Sequence, residues 1–478
     1  MSRAASGGSD RGSTTLPPGG DPPHPGGDVP PARPDPATLV AAGRAARDAV
    51  PAATLGDWRP AADRPDPIAL LEEQATTRFA ELVPVRYGRM SPTPFTFYRG
   101  AALPMAADLT ARPNTGIIVQ LCGDAHLSNF GLFASPERDL VFDINDFDET
   151  LHGPFEFDLM RLSASLVVAA RDRGFSAHEG RHAVHRAVRS YATHMATYAA
   201  MRAIDVYYAR VDAATILTYV DKRARPMLES TVKTTARHDA LHELPKLTAV
   251  VDGHRRIIER PPTIVRREEM SLAIAKAALL DYRQTLQEDR RVLLDRYQVE
   301  DYAFKVVGVG SVGLGAIVAL FMGVSEDDPL FLQIKQAEAS VYERFLPPSN
   351  QPNHGQRVVA GQRRLQAASD VLLGWFRGQP YGRDWYVRQL QDQKGSAVVE
   401  AMTADDLAAW GDLCAWALAR GHARTGEPAT ISAYIGDDDA LDHAMAGFAE
   451  RYADQNQRDH SALLAAIKSG RIEARTGV

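Results

Sequence analysis

The chain has 478 residues, which is enough for two or more packed units, each with a sizeable core. Its formal net charge is −6, and this balance calls for neither a nucleic acid nor an anionic membrane as partner. Cys122 and Cys414 are its only cysteines, too few for a disulfide scaffold or a four-ligand zinc site.

Targeting signals are not apparent in the sequence. The N-terminus lacks the apolar core of a signal peptide. The most apolar stretch, residues 312–324, is interrupted by glycine and is shorter than the roughly 20 residues that a bilayer span requires. We therefore expect a soluble, cytoplasmic protein.

Composition divides the chain into four segments. Residues 1–36 are rich in Pro, Gly, Ser and Asp and cannot offset the entropy of ordering, so they predict a disordered tail. Residues 37–300 predict a large, mostly helical lobe, and residues 301–395 a smaller β-rich lobe. Residues 396–478 predict helices that pack on the large lobe. The expected fold class is α+β.

Hydrophobic periodicity predicts the individual elements. Helices are expected at 67–83, 157–208, 212–239, 267–296 and 354–376, and again from about 403. Buried strands are expected at 116–122 (GIIVQLC) and 139–144 (DLVFDI), followed later by FKVVGVGSVG, GAIVALFMG, PLFLQIK and a strand at 384–390.

Polar residues follow the first two strands. The segments CGDAHLSNFG and FDINDFDET place these side chains at neighbouring strand ends: Asp124, His126, Asn129, Asp143, Asp146 and Asp148. Buried strands rarely carry unpaired carboxylates, because burying an unpaired charge is costly. The alternative is that Asp, Asn and Gly are ordinary turn residues here.

This pattern fits phosphoryl transfer. Asp124 would orient or deprotonate an acceptor hydroxyl, while Asn129 and Asp146 would supply the hard oxygen ligands that Mg²⁺ prefers. Asp143 competes for the metal role, but Asp146 precedes Phe147 as in D-F-G, with Asp148 in place of the glycine. His126 is expected to stabilise the loop by hydrogen bonding rather than to bind the metal.

A glycine-rich string, GVGSVG, supplies Gly308, Gly310, Ser311 and Gly313, whose backbone N–H groups could approach phosphate closely. Dinucleotide-binding folds carry the same string, but they require a helix after the third glycine and an acidic residue ending the next strand. Here the next strands end in Lys335 instead, as in kinases, where this lysine contacts the α- and β-phosphates. Glu338 and Glu343 are the candidates for the glutamate that pairs with it.

Arginines accompany these motifs. Arg86, Arg89 and Arg99 lie among aromatic residues and are either a clamp for phosphate or acceptor, or arginines stacked on aromatic rings and paired with carboxylates. Arg161 follows Asp158 by three residues on a predicted helix, so we expect the two to pair.

The motifs resemble two families. Gly123–Asp124, Asn129, Asp146 and Asp158–Leu159 resemble the H-G-D-x-x-x-x-N, metal-binding Asp and D-L motifs of the aminoglycoside phosphotransferase branch of the kinase-like superfamily, with Cys122 in place of His. The set RYGRM, FYRG, CGDAHLSNFG, FDINDFDET, GVGSVG, LQIKQAEAS and YVRQLQDQKGS resembles the bacterial domain of unknown function 2252 over about residues 65–460. The latter resemblance implies little about substrate.

Together these features imply a protein-kinase-like two-lobe fold in permuted order, because the catalytic-loop-like segment precedes the glycine-rich lobe. Circular permutation preserves packed contacts, so we expect Lys335 to lie across a cleft from Asp146. The implied function is an ATP- and Mg²⁺-dependent phosphotransferase acting on a small-molecule or protein hydroxyl. The alternatives are a nucleotide-binding pseudoenzyme and a metal-dependent hydrolase or nucleotidyl-transfer enzyme using the aspartate cluster. The expected partners are a nucleotide and an acceptor, with neither nucleic acid nor membrane; the oligomeric state stays open.

Overall fold

A computed structural model describes residues 33–237, 240–267, 272–306, 308–378, 382–390, 394–396 and 398–477. The fold is mixed α+β, as predicted, with many helices and small antiparallel sheets. Most of the predicted tail, residues 1–32, lies outside the described residues. A helix that the sequence did not predict begins at Pro36, where the Asp35 side chain accepts a hydrogen bond from the Thr38 amide.

The helices of the first half are α1 Pro36–Ala49, α2 Ala52–Gly56, α3 Pro67–Ala75, α4 Val83–Met90, α5 Pro94–Gly100, α6 Ala102–Thr110, α7 Glu156–Asp172, α8 Ala177–Ala199, α9 Ala203–Tyr208, α10 Ala213–Tyr219 and α11 Arg225–Thr235. Later helices are α12 Ala240–Leu247, α13 Leu272–Gln284, α14 Glu288–Leu294, α15 His354–Leu365, α16 Ala404–Thr425, α17 Pro428–Ile435 and α18 Ala440–Lys468.

The strands are β1 Ile118–Leu121, β2 Phe130–Ala134, β3 Leu140–Ile144, β4 Leu151–Pro154, β5 Thr248–Val251, β6 His254–Ile257, β7 Ile264–Val265, β8 Gln298–Lys305, β9 Ala316–Met322, β10 Pro329–Ala337, β11 Gly374–Gly378 and β12 Arg383–Gln389. The strands predicted at GAIVALFMG and PLFLQIK are present as β9 and β10, whereas β8 overlaps the predicted strand FKVVGVGSVG only at Phe304 and Lys305.

The main core lies among α7, α8, α16 and α18. Helices α7 and α16 are buried on nearly all sides, as expected for helices at the centre of a helical body. Their apolar side chains form one continuous cluster with β1, β2 and β3, so the acidic loops that follow these strands are attached to a rigid support.

The six-stranded antiparallel sheet has the order β11-β12-β10-β9-β8-β7. Because side chains alternate along a strand, Gln333 and Lys335 of β10 share one face, and Lys335 is directly opposite Tyr386 of β12. Ile334 lies on the other face, in an apolar cluster with Tyr282 of α13. The strand pattern thus directs Lys335 away from this cluster.

The strands 116–122 and 139–144 were expected to be neighbours, and this prediction is wrong. The structure pairs β1 with β4 and β2 with β3 in two separate hairpins. Strands β2 and β4 were not predicted from the sequence. They are the hydrogen-bonding partners of β3 and β1, in place of the pairing expected between β1 and β3. The two acidic loops still meet, because the Asn145 amide donates to the Asn129 carbonyl at 2.8 Å.

Other element predictions need correction. The helix expected at 354–376 ends at Leu365, where Gln366 becomes extended, and β11 follows. The hairpin β5–β6 was missed, although Asp252–Gly253 forms its turn with positive φ at both residues. An Asp-Gly pair is a strong signal for a two-residue hairpin turn, because both of its residues tolerate positive φ.

No helix within the described residues is long and apolar enough to cross a bilayer.

Asp143 is a structural residue of the core. Its carboxylate is fully buried and accepts hydrogen bonds from Arg420 Nη2 at 2.7 and 2.8 Å, and from the Ala367 amide at 2.9 Å. The side chain of Arg420 is equally buried. Asp143 lies on β3, whereas Asp146 and Asp148 lie in the loop after it, and this separates their roles.

We expect Asp143→Ala to lower the free energy of unfolding by about 3–5 kcal/mol, because it leaves a buried guanidinium without its counter-charge. Urea denaturation measures the change. Asp139→Ala is the matched control, since it removes an exposed pair with Arg210 and should cost at most about 1 kcal/mol. Equal losses in the two variants would contradict the structural role of Asp143.

Candidate functional site

A cleft of about 90 Å³ brings the acidic loops and the glycine-rich loop together. Its walls come from the acidic loops, the glycine-rich loop between β8 and β9, and the α3–α6 region. The lining residues include Arg78, Arg99, Asp124, His126, Asn129, Asp146, Asp148, Glu149, Gly308, Gly310 and Ser311. Residues far apart in the chain therefore face one shared cleft.

Asp124 is held by Arg161. The Arg161 guanidinium contacts Asp124 Oδ1 through Nε at 2.8 Å and Nη2 at 2.7 Å. Burial raises the pKa of Asp124 above its ordinary value, and Arg161 opposes that rise. The predicted Arg161–Asp158 pair is wrong: Asp158 instead accepts from the amides of Cys122 and Gly123 at the start of the loop.

His126 is a loop-stabilising residue, as expected. Its Nδ1 accepts a hydrogen bond from the Ser128 amide at 3.2 Å, so the neutral ring carries its proton on Nε2. Nε2 lies 3.6 Å from Asp124 Oδ2. Burial, and then the nearby charges of Arg99 and Arg161, hold the pKa of His126 well below its ordinary value.

Asn129 and Asp146 offer oxygen atoms to the cleft. The Asn129 side-chain amide donates to the Asp124 carbonyl at 2.8 Å, which fixes the amide and directs its oxygen away from that contact. Asp146 accepts from the Asp148 amide at 3.1 Å and is about one-third exposed (32%). Burial, with the Asp148 charge adding to it, raises the pKa of Asp146.

Lys335 connects the six-stranded sheet to the acidic loop. Its Nζ lies 2.7 Å from Asp148 Oδ2 and 3.8 Å from Asp146 Oδ2, so the expected juxtaposition with Asp146 is found. The Tyr386 hydroxyl donates to Asp148 Oδ1 at 2.6 Å. Burial opposes the charge on Lys335, yet Asp146 and Asp148 raise its pKa and keep the amine protonated.

The same contacts act on Asp148. Burial alone would raise the pKa of Asp148, but Lys335 and the Tyr386 hydroxyl outweigh burial and hold that pKa below its ordinary value. Asp148 is therefore the ionised counter-charge of Lys335, while Asp146 is the more exposed carboxylate of the two.

The two glutamates proposed as partners of Lys335 make other contacts. Glu338 accepts hydrogen bonds from Gln336 and Thr77. Glu343 accepts from the Ser340 amide and lies 3.4 Å from Arg357. Helix α15 presents Arg357 here, and this guanidinium donates to the carbonyls of Thr150, Asp148 and Glu338. Asp148 thus takes the position in the ion pair that the sequence analysis assigned to a glutamate.

The glycine-rich loop is a turn between antiparallel strands, and not the start of a helix. Gly308 and Gly313 have φ of 70° and 92°, conformations that favour glycine. Arg89 donates to the Gly308 carbonyl at 2.7 Å, and Arg78 donates to the Val312 carbonyl. A Cβ at Gly310 would lie 3.2 Å from the Arg99 carbonyl, so the loop approaches the α5 end of the cleft closely.

Glu149 is a cleft residue that the sequence analysis missed. Its carboxylate accepts from the Val341 amide at 2.7 Å. Burial raises its pKa to about 7, against opposing effects of that hydrogen bond and of Arg357. The signal was present in the string FDINDFDET, where Glu149 directly follows Asp148.

The fold and cleft define an α+β protein in which a glycine-rich hairpin with a following lysine strand faces an acidic loop. The chain matches the family described as "Uncharacterized protein conserved in bacteria (DUF2252)" over residues 78–466. It belongs to this family, and the predicted resemblance to domain of unknown function 2252 is confirmed. No curated protein and no solved structure matches the chain.

The charge of Glu149 predicts a pH dependence of stability. Its folded pKa of about 7 exceeds the ordinary 4.5, so the native state holds a proton that the unfolded state releases between these values. The stabilisation is complete below about pH 4.5 and is lost as the pH rises through about 7. Relative to Glu149→Gln, the wild type should lose about 1–3 kcal/mol over this window.

Urea unfolding of both proteins at several pH values measures this difference. Glu288→Gln, at an exposed position of α14, is the control and should parallel the wild type. A constant difference between the wild type and Glu149→Gln across the window would contradict the shifted pKa.

Proposed function

We propose that this protein is a phosphotransferase of protein-kinase-like fold in permuted order, which uses a Mg²⁺–nucleotide complex to phosphorylate a hydroxyl group. The observation that carries the proposal is the contact of Lys335 with both Asp146 and Asp148, at 3.8 and 2.7 Å, since these two aspartates line the same cleft as the glycine-rich loop. A phosphate-binding lysine, metal-binding oxygens and phosphate-facing amides are the parts that phosphoryl transfer needs.

The donor set of the cleft fits magnesium. Mg²⁺ takes hard oxygen ligands and is commonly bound through one or two carboxylates together with substrate phosphates. Asn129 and Asp146 would hold it, since Lys335 is closer to Asp148 than to Asp146. Within the described part of the chain, no group of three or more His, Cys, Asp or Glu is arranged to hold a metal. When bound, Mg²⁺ would neutralise charge on the phosphates.

The glycine-rich loop fits the phosphates of a nucleotide. The conformations of Gly308 and Gly313 turn the backbone without a side chain in the way, which leaves N–H groups accessible to an anion. Lys335 stays protonated because of its two aspartates, so it would supply a fixed positive charge to the α- and β-phosphates.

Asp124 is suited to act on the acceptor. Arg161 contacts its Oδ1, which leaves Oδ2 to accept the hydrogen of a substrate hydroxyl. Asp124 would take the hydroxyl proton as the hydroxyl oxygen bonds to the transferred phosphorus and the bond to the departing diphosphate oxygen breaks. Arg161 would keep the carboxylate oriented during this step.

The order of elements also supports a permuted kinase-like arrangement. Strand β12 leads towards residues 394–396, where Gly395 pairs with Leu132 of β2. Helix α16 then ends beside β1, since the Gln120 amide donates to Thr425 Oγ1 at 3.2 Å. Strand β1 in turn leads into the Asp124 loop. A helix that leads in space into the catalytic loop is what permutation predicts.

The two other functions have less support. The hydrolase alternative relied on four aspartates, but one of them, Asp143, is buried in an ion pair with Arg420 and does not face the cleft. The pseudoenzyme alternative relied on the absence of a glutamate from the helix after Lys335, α15, but Asp148 supplies the counter-charge instead. Turnover measurements separate a pseudoenzyme from an enzyme.

Nucleotide binding is the first expected result. In a thermal-shift panel of nucleotides, a nucleotide at 100 times its dissociation constant should stabilise the wild type by about 2.7 kcal/mol. Mg²⁺ should strengthen the effect, and Asn129→Ala and Asp146→Ala should remove that dependence on Mg²⁺. Asp139→Asn, on an exposed turn, is the matched control. Stabilisation that is independent of Mg²⁺ in every protein would contradict the assignment.

Turnover is the second expected result. Asp124→Asn should lower nucleotide turnover about 10²–10⁴-fold, because it removes the proton acceptor. The affinity for nucleotide should change little, since Asp124 is not among the proposed phosphate or metal ligands. Steady-state release of nucleoside diphosphate measures turnover, and thermal shift measures affinity. Wild-type turnover in this variant would rule out the role of Asp124.

A further inference from the structure

One wall of the cleft carries arginines whose contacts the proposed phosphate site does not explain. Arg99 of α5 and Arg78 line the cleft, and Arg86 of α4 lies directly behind Gly100 and Gln74, which also line it. Arg86 is fully buried and Arg78 nearly so, and Arg99 is half-buried. Two guanidinium groups, those of Arg78 and Arg99, therefore face the cleft, and that of Arg86 lies behind its wall.

Several nitrogen atoms of these arginines are buried without hydrogen-bond partners among the described residues: Arg78 Nε, Arg86 Nε, Arg86 Nη1 and Arg99 Nε. Buried polar groups in folded proteins almost always have partners, because an unsatisfied donor retains its desolvation cost. Arg86 is bound by the Gln74 side-chain oxygen and the Gly100 carbonyl, which are neutral acceptors. The carboxylates of Glu338 and Glu149 act on Arg78 and Arg86 through charge, but they accept no hydrogen bond from these nitrogen atoms.

Electrostatics place Arg99 on the acceptor side of the cleft. Burial lowers the pKa of Arg99, and the charges that oppose this are those of Glu400 and Asp124. Arg99 also acts on His126, the neighbour of Asp124 in the loop. The charges that act on Lys335 are different ones, namely Asp146, Asp148 and Arg388. Asp124 thus interacts with Arg99 and not with Lys335, which places Arg99 beside the carboxylate that would act on the acceptor.

We propose that Arg99, supported by Arg78 and Arg86, forms an oxyanion-binding subsite for the acceptor, so that the substrate is a hydroxyl compound carrying a phosphate or carboxylate group. The anion-binding subsite itself is inferred from the arginine cluster. The statement that its ligand is the acceptor rests on the proposed function. A planar guanidinium binds both oxyanions in two-point geometry. An anion held at Arg99 would direct the rest of the substrate, with its hydroxyl, towards Asp124.

The subsite can be tested without nucleotide or metal. Inorganic phosphate and acetate are titrated separately into the protein in the presence of a chelator, and binding is followed by calorimetry. Phosphate in the first arm and acetate in the second distinguish a phosphorylated from a carboxylated substrate. Arg99→Gln should weaken binding of the preferred anion at least tenfold, and Arg99→Lys should restore only part of the affinity. Arg59→Gln, an exposed position, should bind like the wild type.

Nucleotide binding provides the second readout. Arg99→Gln should change the affinity for Mg²⁺–ATP less than twofold, whereas Lys335→Met should weaken it and leave the Arg99-dependent anion binding in place. Melting curves establish that each variant is folded. Equal anion binding by wild type and Arg99→Gln would overturn the subsite, as would an equal loss of nucleotide affinity in Arg99→Gln and Lys335→Met. Anion binding that depends on Arg99 in a protein that binds no nucleotide would keep the subsite and refute the proposed function.

Discussion

The buried ion pair between Lys335 and Asp148 is the contact on which the rest of the site depends. It joins the six-stranded sheet to the loop after β3, and the Tyr386 hydroxyl secures the same carboxylate from the neighbouring strand. A buried pair of this kind is weak evidence for stability, because desolvation offsets the attraction. Its consequence is positional: it fixes the sheet, and with it the glycine-rich loop, over the acidic loops.

The partner of Lys335 is a loop residue, Asp148, and not a glutamate on a neighbouring helix. Because Lys335 belongs to the sheet and Asp148 to the acidic loop after β3, the pair forms when these two parts meet. Helix α15 contributes through Arg357, which binds the backbone of the acidic loop at Thr150 and Asp148. A movement of α15 would therefore act on the loop conformation rather than on the charge of the lysine. In this arrangement Lys335 is held beside Asp146 and Asp148 by contacts within the folded protein alone.

Much of the site could be predicted because it is encoded in short strings. GVGSVG between apolar strands predicted the hairpin, and CGDAHLSNFG and FDINDFDET predicted the acidic wall. Partner choice could not be predicted, because it depends on tertiary packing. Asp143 and Asp146 are three residues apart, yet only the end of β3 at Ile144 separates a core residue from a cleft residue. Arg161 binds the loop residue Asp124 rather than its helical neighbour, since Asp158 is already taken by two backbone amides.

If the acidic loops and the glycine-rich loop with Lys335 bind one polyphosphate, a crystal structure with Mg²⁺ and a non-hydrolysable ATP analogue will show it. We expect Asn129 and Asp146 to bind the metal ion, and the phosphate oxygens to contact Lys335 and backbone amides of residues 308–313. An analogue bound outside this cleft, or one in the cleft whose phosphates contact neither Lys335 nor the loop, would contradict a shared polyphosphate site.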